Sequence, residues 1–502
     1  MGDAVGLQET DVLVVGAGPT GLGAAWRLNE LAHRQLINPD LDWLVTEKSA
    51  MPGGMAASVS DSEGFTWDLG GHIIYSHYEY FDTVLATVMG KDLLQHPRKS
   101  WVWMADRFFP FPIQHNLRHL PPTDLAQCLR GLVDTQLTHR NGRQPANFAE
   151  WLEENFGVAL SELFFLPYNA KMWAYPADEM STVWTQRKSG SRYANVPLVD
   201  IARLVENVVS QQDDPGWVGA TTFPYPERGG IGELWRRVFN TLPPNRTALS
   251  EQLVGLDPVR RIATFASGLQ VAYQHLINTA PMPELLRAMP SDSSLHYDTT
   301  PLRHSCTHSV GIGLRGAMPE VLKDKYWIYV PDPAAPYFRV TLISNFSRNN
   351  APPGDHWSLM CECSAEPDAV VEEGELFANI ERALRGSLLS ADQEIVSRWY
   401  RKLNYGYPVP CLNRDAFLQK VEPQLREHNI RSRGRFGGWK YESSNQDNAF
   451  MQGVEAVDSI LLGTEEISYF HLDLISKGAV QRSLPDWEPR RNRLRERRRS
   501  AA

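Results

Sequence analysis

Residues 11–15 (DVLVV) form a short β-branched apolar run ending at Gly16, the pattern of a strand buried on both faces. From Pro19 to about His33 the spacing turns helical, with Leu22, Ala25, Trp26 and Leu28 on one face. A second strand over Trp43–Thr46 then delivers Glu47, which completes a β-α-β unit. Beyond Tyr80 the pattern is mixed. From 116 to 212 apolar positions recur every three or four residues, most clearly over 123–137 and 147–166, and predict helices. Runs at 269–279, 309–314, 326–330, 337–345 and 357–363 read as strands without a helix between each of them, hence as an antiparallel sheet. A glycine-rich strand over 434–441 and a helix over about 446–462 close the chain's pattern.

Composition narrows the function classes. The chain is 42% hydrophobic and 22% charged, ordinary for a globular protein. Its net charge is −9, and the tail 490–499 holds seven arginines against one glutamate, so the body is more acidic still. Such a body argues against nucleic acid, whose phosphates need basic surface, and the basic tail is expected to be disordered. The cysteines Cys128, Cys306, Cys361, Cys363 and Cys411 are odd in number, scattered and free of any C-x-x-C pair, which points to reduced thiols and a cytoplasmic setting. No apolar run approaches the ~18 residues of a membrane span, and neither a leader nor a myristoylation signal is read at the start. No His/Asp/Glu cluster at ligand spacing calls for a metal.

Four motifs carry chemistry. Gly16-Ala-Gly18-Pro-Thr20-Gly21 follows a strand and opens a helix. There the glycines allow a tight turn, approach of a pyrophosphate and close helix–strand packing. Glu47, ending the next strand, is placed to accept ribose hydroxyls. Pro52-Gly53-Gly54-Met55 is a second glycine loop that a nicotinamide fold does not need and that a longer FAD does. Gly70-Gly71-His72, with His77 beyond it, lets backbone approach a flat ring. Finally Arg433-Gly-Arg435 through Tyr441, Asn445-Gln446-Asp447 and Gly453–Asp458 reads as strand, turn and helix N-terminus returning to the cofactor.

Together these resemble the glutathione-reductase-like FAD superfamily, and in detail the eukaryotic UDP-galactopyranose mutases. The deciding stretches are Gly70–Tyr78, Pro167–Trp173, Tyr329 with Arg339, Gly406–Pro410 and Arg433–Asp458. The resemblance implies an α/β fold with a Rossmann-like FAD-binding domain, an inserted helical domain and an antiparallel β-sheet substrate domain. The FAD domain is expected over 1–95 with 213–300 and 430–480, the helical domain over 116–212, the sheet domain over 96–115 and 301–429, and the tail over 481–502.

It further implies an isomerase that interconverts UDP-galactopyranose and UDP-galactofuranose: N5 of flavin, reduced by NADPH, attacks the anomeric carbon and UDP departs. Arg339 and a mobile-loop arginine (Arg192, with Arg187 in reserve) would grip the diphosphate with Tyr329, Tyr407 and Tyr441. Phe111 and Gln114 would hold uracil, Asn169 and Trp173 would border uridine and sugar, and Gly71 and His72 would tune N5. The cofactor contacts carried over add Val254, Arg435, Asn445, Gln446 and Asp447. Phe346 stands where the family has a fourth tyrosine, which would cost one hydrogen bond, and Ala220 replaces a loop asparagine. Whether the chain forms a homo-oligomer is left open. An FAD amine oxidase or desaturase shares the N-terminal fold, but a diphosphate-directed arginine pair is out of place in an apolar tunnel. The intact glycine loops and Glu47 speak against a flavin-free protein like the GDP-dissociation inhibitors.

Overall fold

The strand β1 (Leu7–Val15) sends Val12 and Val14 into one core and Leu13 and Val15 into another, so both its faces are covered. The computed structural model describes residues 7–38, 40–138, 144–185, 196–214, 221–390, 392–471 and 475. β1 leads into the helix α1 (Pro19–His33) and then the strand β2 (Trp43–Glu47), which lies parallel to β1. On its other side β1 pairs in parallel with β3 (Gln270–Asn278), and Ile430–Ser432 pairs in parallel with the end of β3. This corrects the reading of 269–279 as part of the antiparallel sheet, although the run lies within 213–300, the range expected to return to the FAD domain. The run is apolar enough for either sheet, and its register with β1, not its own pattern, fixes it in the first. The sheet continues from β3 through the hairpin Ile262–Phe265 and Leu253–Asp257, and from β2 to Thr247–Leu249.

The helix α2 (Gln446–Leu462) crosses α1 at very short range. A Cβ on Gly453 would fall 1.9 Å from the Thr20 carbonyl oxygen, so only glycine permits the crossing. The expected strand over 434–441 is instead a single helical turn, Gly434–Gly437, followed by a second turn at Tyr441–Ser443. Its glycines suggest extended backbone in the sequence, whereas Gly434 serves a tight approach to Thr20.

The second sheet runs in the order Glu394–Pro408, His304–Arg315, His356–Ala365, Arg339–Thr341, Trp327–Tyr329, Ser100–Met104 and Arg107–Pro110. Its pairs are antiparallel except Trp327–Tyr329 with Ser100–Met104, which is parallel. The run 337–345 is a strand only over Arg339–Thr341 and then becomes a helical turn, Ile343–Phe346. A helix, Glu373–Arg385, also separates two of the sheet's strands. Alternation then sorts the residues. Ile328, Val340 and Cys361 bury against Leu376, Ile380 and Leu384 of that helix. The intervening Tyr329, Arg339 and Glu362 stand in one cross-strand row on the opposite face.

Helices Pro122–Thr138, Phe148–Leu160 and Leu166–Trp173 pack through Leu132, Leu152, Phe156 and Trp173. Lys171 ties this helical layer to the second sheet by donating to the carbonyls of Val330 at 2.8 Å and Asp332 at 2.7 Å. Among the described residues no helix is long and apolar enough to cross a membrane, and all five cysteines are buried and free.

Candidate active site

The first part of the site is a glycine-lined cradle at the carboxyl ends of β1 and β2. Gly16 has φ +103°, and a Cβ there would lie 2.2 Å from Thr279 Oγ1. Across the cradle a Cβ on Gly54 would lie 3.2 Å from the Gly18 Cα, and the Gly53 amide donates to the Ala17 carbonyl at 2.8 Å. The Glu47 carboxylate accepts from the Ala17 amide at 2.7 Å and the Ser49 amide at 2.9 Å, which fixes it at the rim. Gly21 lies against the Gly16 carbonyl, Thr20 is buried against Gly434, and Met55 packs on the second core. The side chain of Val254 is half exposed, three residues past Glu251, whose amide donates to the Glu47 carbonyl.

Two helices begin here without side-chain caps, α1 after Gly18 and α2 after Asn445, so neither first turn has its amides covered by its own cap residue. Gln446 is clamped between the Trp235 indole at 2.7 Å and the Ile73 carbonyl at 2.9 Å. Asp447 accepts from the His77 amide at 3.0 Å and meets His77 Nδ1 at 2.6 Å through Oδ2, while its buried Oδ1 has no partner among the described residues.

The second part faces this cradle across the Gly70–Gly71 turn. Arg339 donates from Nε to Glu362 at 2.5 Å and from Nη2 at 2.7 Å. Burial is the largest single effect and works against the guanidinium charge, yet Glu362 together with Tyr407 and Tyr329 outweighs it and raises the Arg339 pKa. A Cβ on Gly71 would lie 2.6 Å from Thr341 Oγ1 and 3.2 Å from Glu362 Oε2, so glycine here makes room for the ion pair. His72 is pushed down to about 3 by burial and by Arg435 and Arg339, and its Nδ1 has no hydrogen-bond partner among the described residues. Arg435 is fixed by Ser444, at 3.1 Å to Oγ and 3.2 Å to the carbonyl, with its guanidinium 5.9 Å from the Tyr407 ring.

Aromatic residues complete the wall. Tyr407 and Tyr441 lie 5.9 Å apart, and Trp173 is 5.7 Å from the first and 4.8 Å from the second. Tyr329 sits between Phe111 at 4.9 Å and Tyr168 at 5.7 Å. The Trp173 indole donates to Asn169 at 3.0 Å, and Gln114 donates to the Pro197 carbonyl at 2.8 Å. Phe346 packs with Phe223, Tyr225, Tyr326 and Trp327. Arg187, Arg192 and Ala220 lie outside the described residues. Sequence reasoning missed Glu362, Thr341, Tyr168 and Thr279. A signal for Glu362 existed, since a lone carboxylate inside the apolar run 357–363 demands a partner.

The cradle and the unpartnered Asp447 and His72 atoms fit a dinucleotide carrying a flat ring. Among the described residues no cluster of His, Cys, Asp or Glu is arranged to hold a metal ion. A family model described as an NAD(P)-binding Rossmann-like domain matches residues 14–88. A crystal structure of reduced UDP-galactopyranose mutase has a TM-score of 0.87 and 37% identity, covering 94% of this chain and 98% of that one. The chain belongs to the UDP-galactopyranose mutase family. Outside that family the likeness thins. Putrescine oxidase bound to putrescine shares the fold at 16% identity and a TM-score of 0.61, covering 91% of this chain and 100% of that one. The mitochondrial electron transfer flavoprotein-ubiquinone oxidoreductase of Arabidopsis thaliana is 32% identical over 124 residues, 25% of this chain and 18% of that protein. The chain thus matches less than a fifth of that relative's length.

Proposed function

We propose that the chain interconverts UDP-galactopyranose and UDP-galactofuranose, with FAD in the glycine cradle and NADPH as its reductant. The observation that carries this reading is Arg339, fixed in a tyrosine-lined wall beside the Gly70–Gly71 turn. When bound and reduced, the flavin supplies a nucleophilic nitrogen for the anomeric carbon. The chain's own work is binding and electrostatics. Gly16, Gly18, Thr20, Gly21, Gly53, Gly54 and Met55 receive the pyrophosphate, and Glu47 accepts ribose hydroxyls, with Val254 contributing backbone beside them. Arg435 and the start of α2 at Asn445, Gln446 and Asp447 close the cofactor's other end.

Arg339 holds the departing diphosphate with Tyr329, Tyr407 and Tyr441, and Arg192, with Arg187 in reserve, is the second arginine. Phe111 stacks on uracil beside Gln114, and Asn169 with Trp173 borders uridine and sugar. Neutral His72 and the Gly71 carbonyl would border the flavin ring, with His72 adding no charge of its own to those of Arg339 and Arg435. The chain works as a cytoplasmic enzyme without a metal. Chromatography of UDP-galactofuranose mixed with dithionite-reduced protein tests the reading. Formation of UDP-galactopyranose is expected, and its absence from flavin-loaded, reduced protein would overturn it.

A further inference from the structure

We propose that Glu362 is a positioning residue that trades affinity for UDP against turnover by holding Arg339 in one orientation; this rests on the reading of the site given above. Arg339 and Glu362 are directly opposite one another on adjacent antiparallel strands. Both carboxylate oxygens are spent on Arg339, through Nε at 2.5 Å and Nη2 at 2.7 Å. Two parallel bonds fix the plane of a guanidinium as well as its position. Nη1 makes no hydrogen bond among the described residues and is the edge left for an anion.

Glu362 is itself held. It is 2% exposed, and the Gly71 backbone closes over the pair, with the place of a Cβ only 3.4 Å from Arg339 Cζ. The carboxylate also sets the local charge. Paired, the two side chains are neutral together; without Glu362, Arg339 presents a full positive charge to a diphosphate in a buried wall. Glu362 therefore weakens ground-state attraction for UDP while keeping the guanidinium where leaving-group charge develops, and only the second effect speeds the reaction.

The experiment compares wild type, Glu362→Gln and Glu362→Asp. Calorimetric titration with UDP is run on oxidised protein, and kcat is measured on reduced protein with UDP-galactofuranose. Glu362→Gln removes the charge and opposes an amide N–H to the guanidinium. UDP should bind about tenfold more tightly while kcat falls by about tenfold or more. Glu362→Asp keeps the charge but not the reach, so kcat should fall with no gain in affinity. A merely structural role would weaken binding and turnover together. Unchanged or weaker UDP binding by Glu362→Gln, or an unchanged kcat in either variant, overturns the proposal. Failure of wild type to bind UDP would instead overturn the functional reading on which it rests.

Discussion

His72 feels two guanidinium groups, Arg435 and Arg339, its Nδ1 is buried, and desolvation ahead of both charges drives its pKa down to about 3. It is neutral across the working range of pH. Imidazole proton shifts followed by NMR should stay constant for His72 from about pH 5 to 8, and a titration centred near the ordinary histidine value of about 6.5 would contradict the site's charge pattern. Arg339 was legible in the sequence because its stretch matches a family motif, and His72 because two glycines precede it. Glu362 was not. Its meaning depends on a strand partner, and a register is set by the fold rather than by neighbouring residues.

The crossing of α1 and α2 brings two helix starts to one cradle, and glycines set its distance. Gly453→Ala would place a methyl group 1.9 Å from the Thr20 carbonyl oxygen. Overpacking of this kind costs about 1–3 kcal/mol. The variant should lose FAD and unfold at a lower temperature, and unchanged flavin content and melting would refute the role given to the crossing. Both helices were readable from their apolar spacing, α1 over Pro19–His33 and α2 over Gln446–Leu462. The turn at Gly434–Gly437 was not, since a glycine-rich stretch has too few side chains to show a period. Nor could 269–279 reveal its partner, because parallel and antiparallel strands carry the same apolar residues.

Asp68 joins the parts of the molecule. It accepts from Ser58 at 2.5 Å, from the Tyr225 hydroxyl at 2.7 Å and from the Ile231 amide at 3.0 Å, and Asn350 reaches Tyr225 at 3.2 Å. Burial nonetheless raises its pKa from 3.8 to about 6. A raised folded pKa means stability that is full below about 4 and lost as pH rises through about 6, worth ~3 kcal/mol. Asp68→Asn stays neutral, so the stability of wild type relative to the variant should fall by about that amount between about pH 4 and 7 in urea unfolding; parallel pH curves would contradict this. Such a joint links segments far apart in the chain and leaves no local pattern. The division of labour between cradle and arginine wall is tested most directly by measuring bound FAD and turnover on one preparation of Arg339→Ala. Full flavin content with turnover reduced by ~10²-fold or more is expected; loss of flavin, or undiminished turnover, would contradict it.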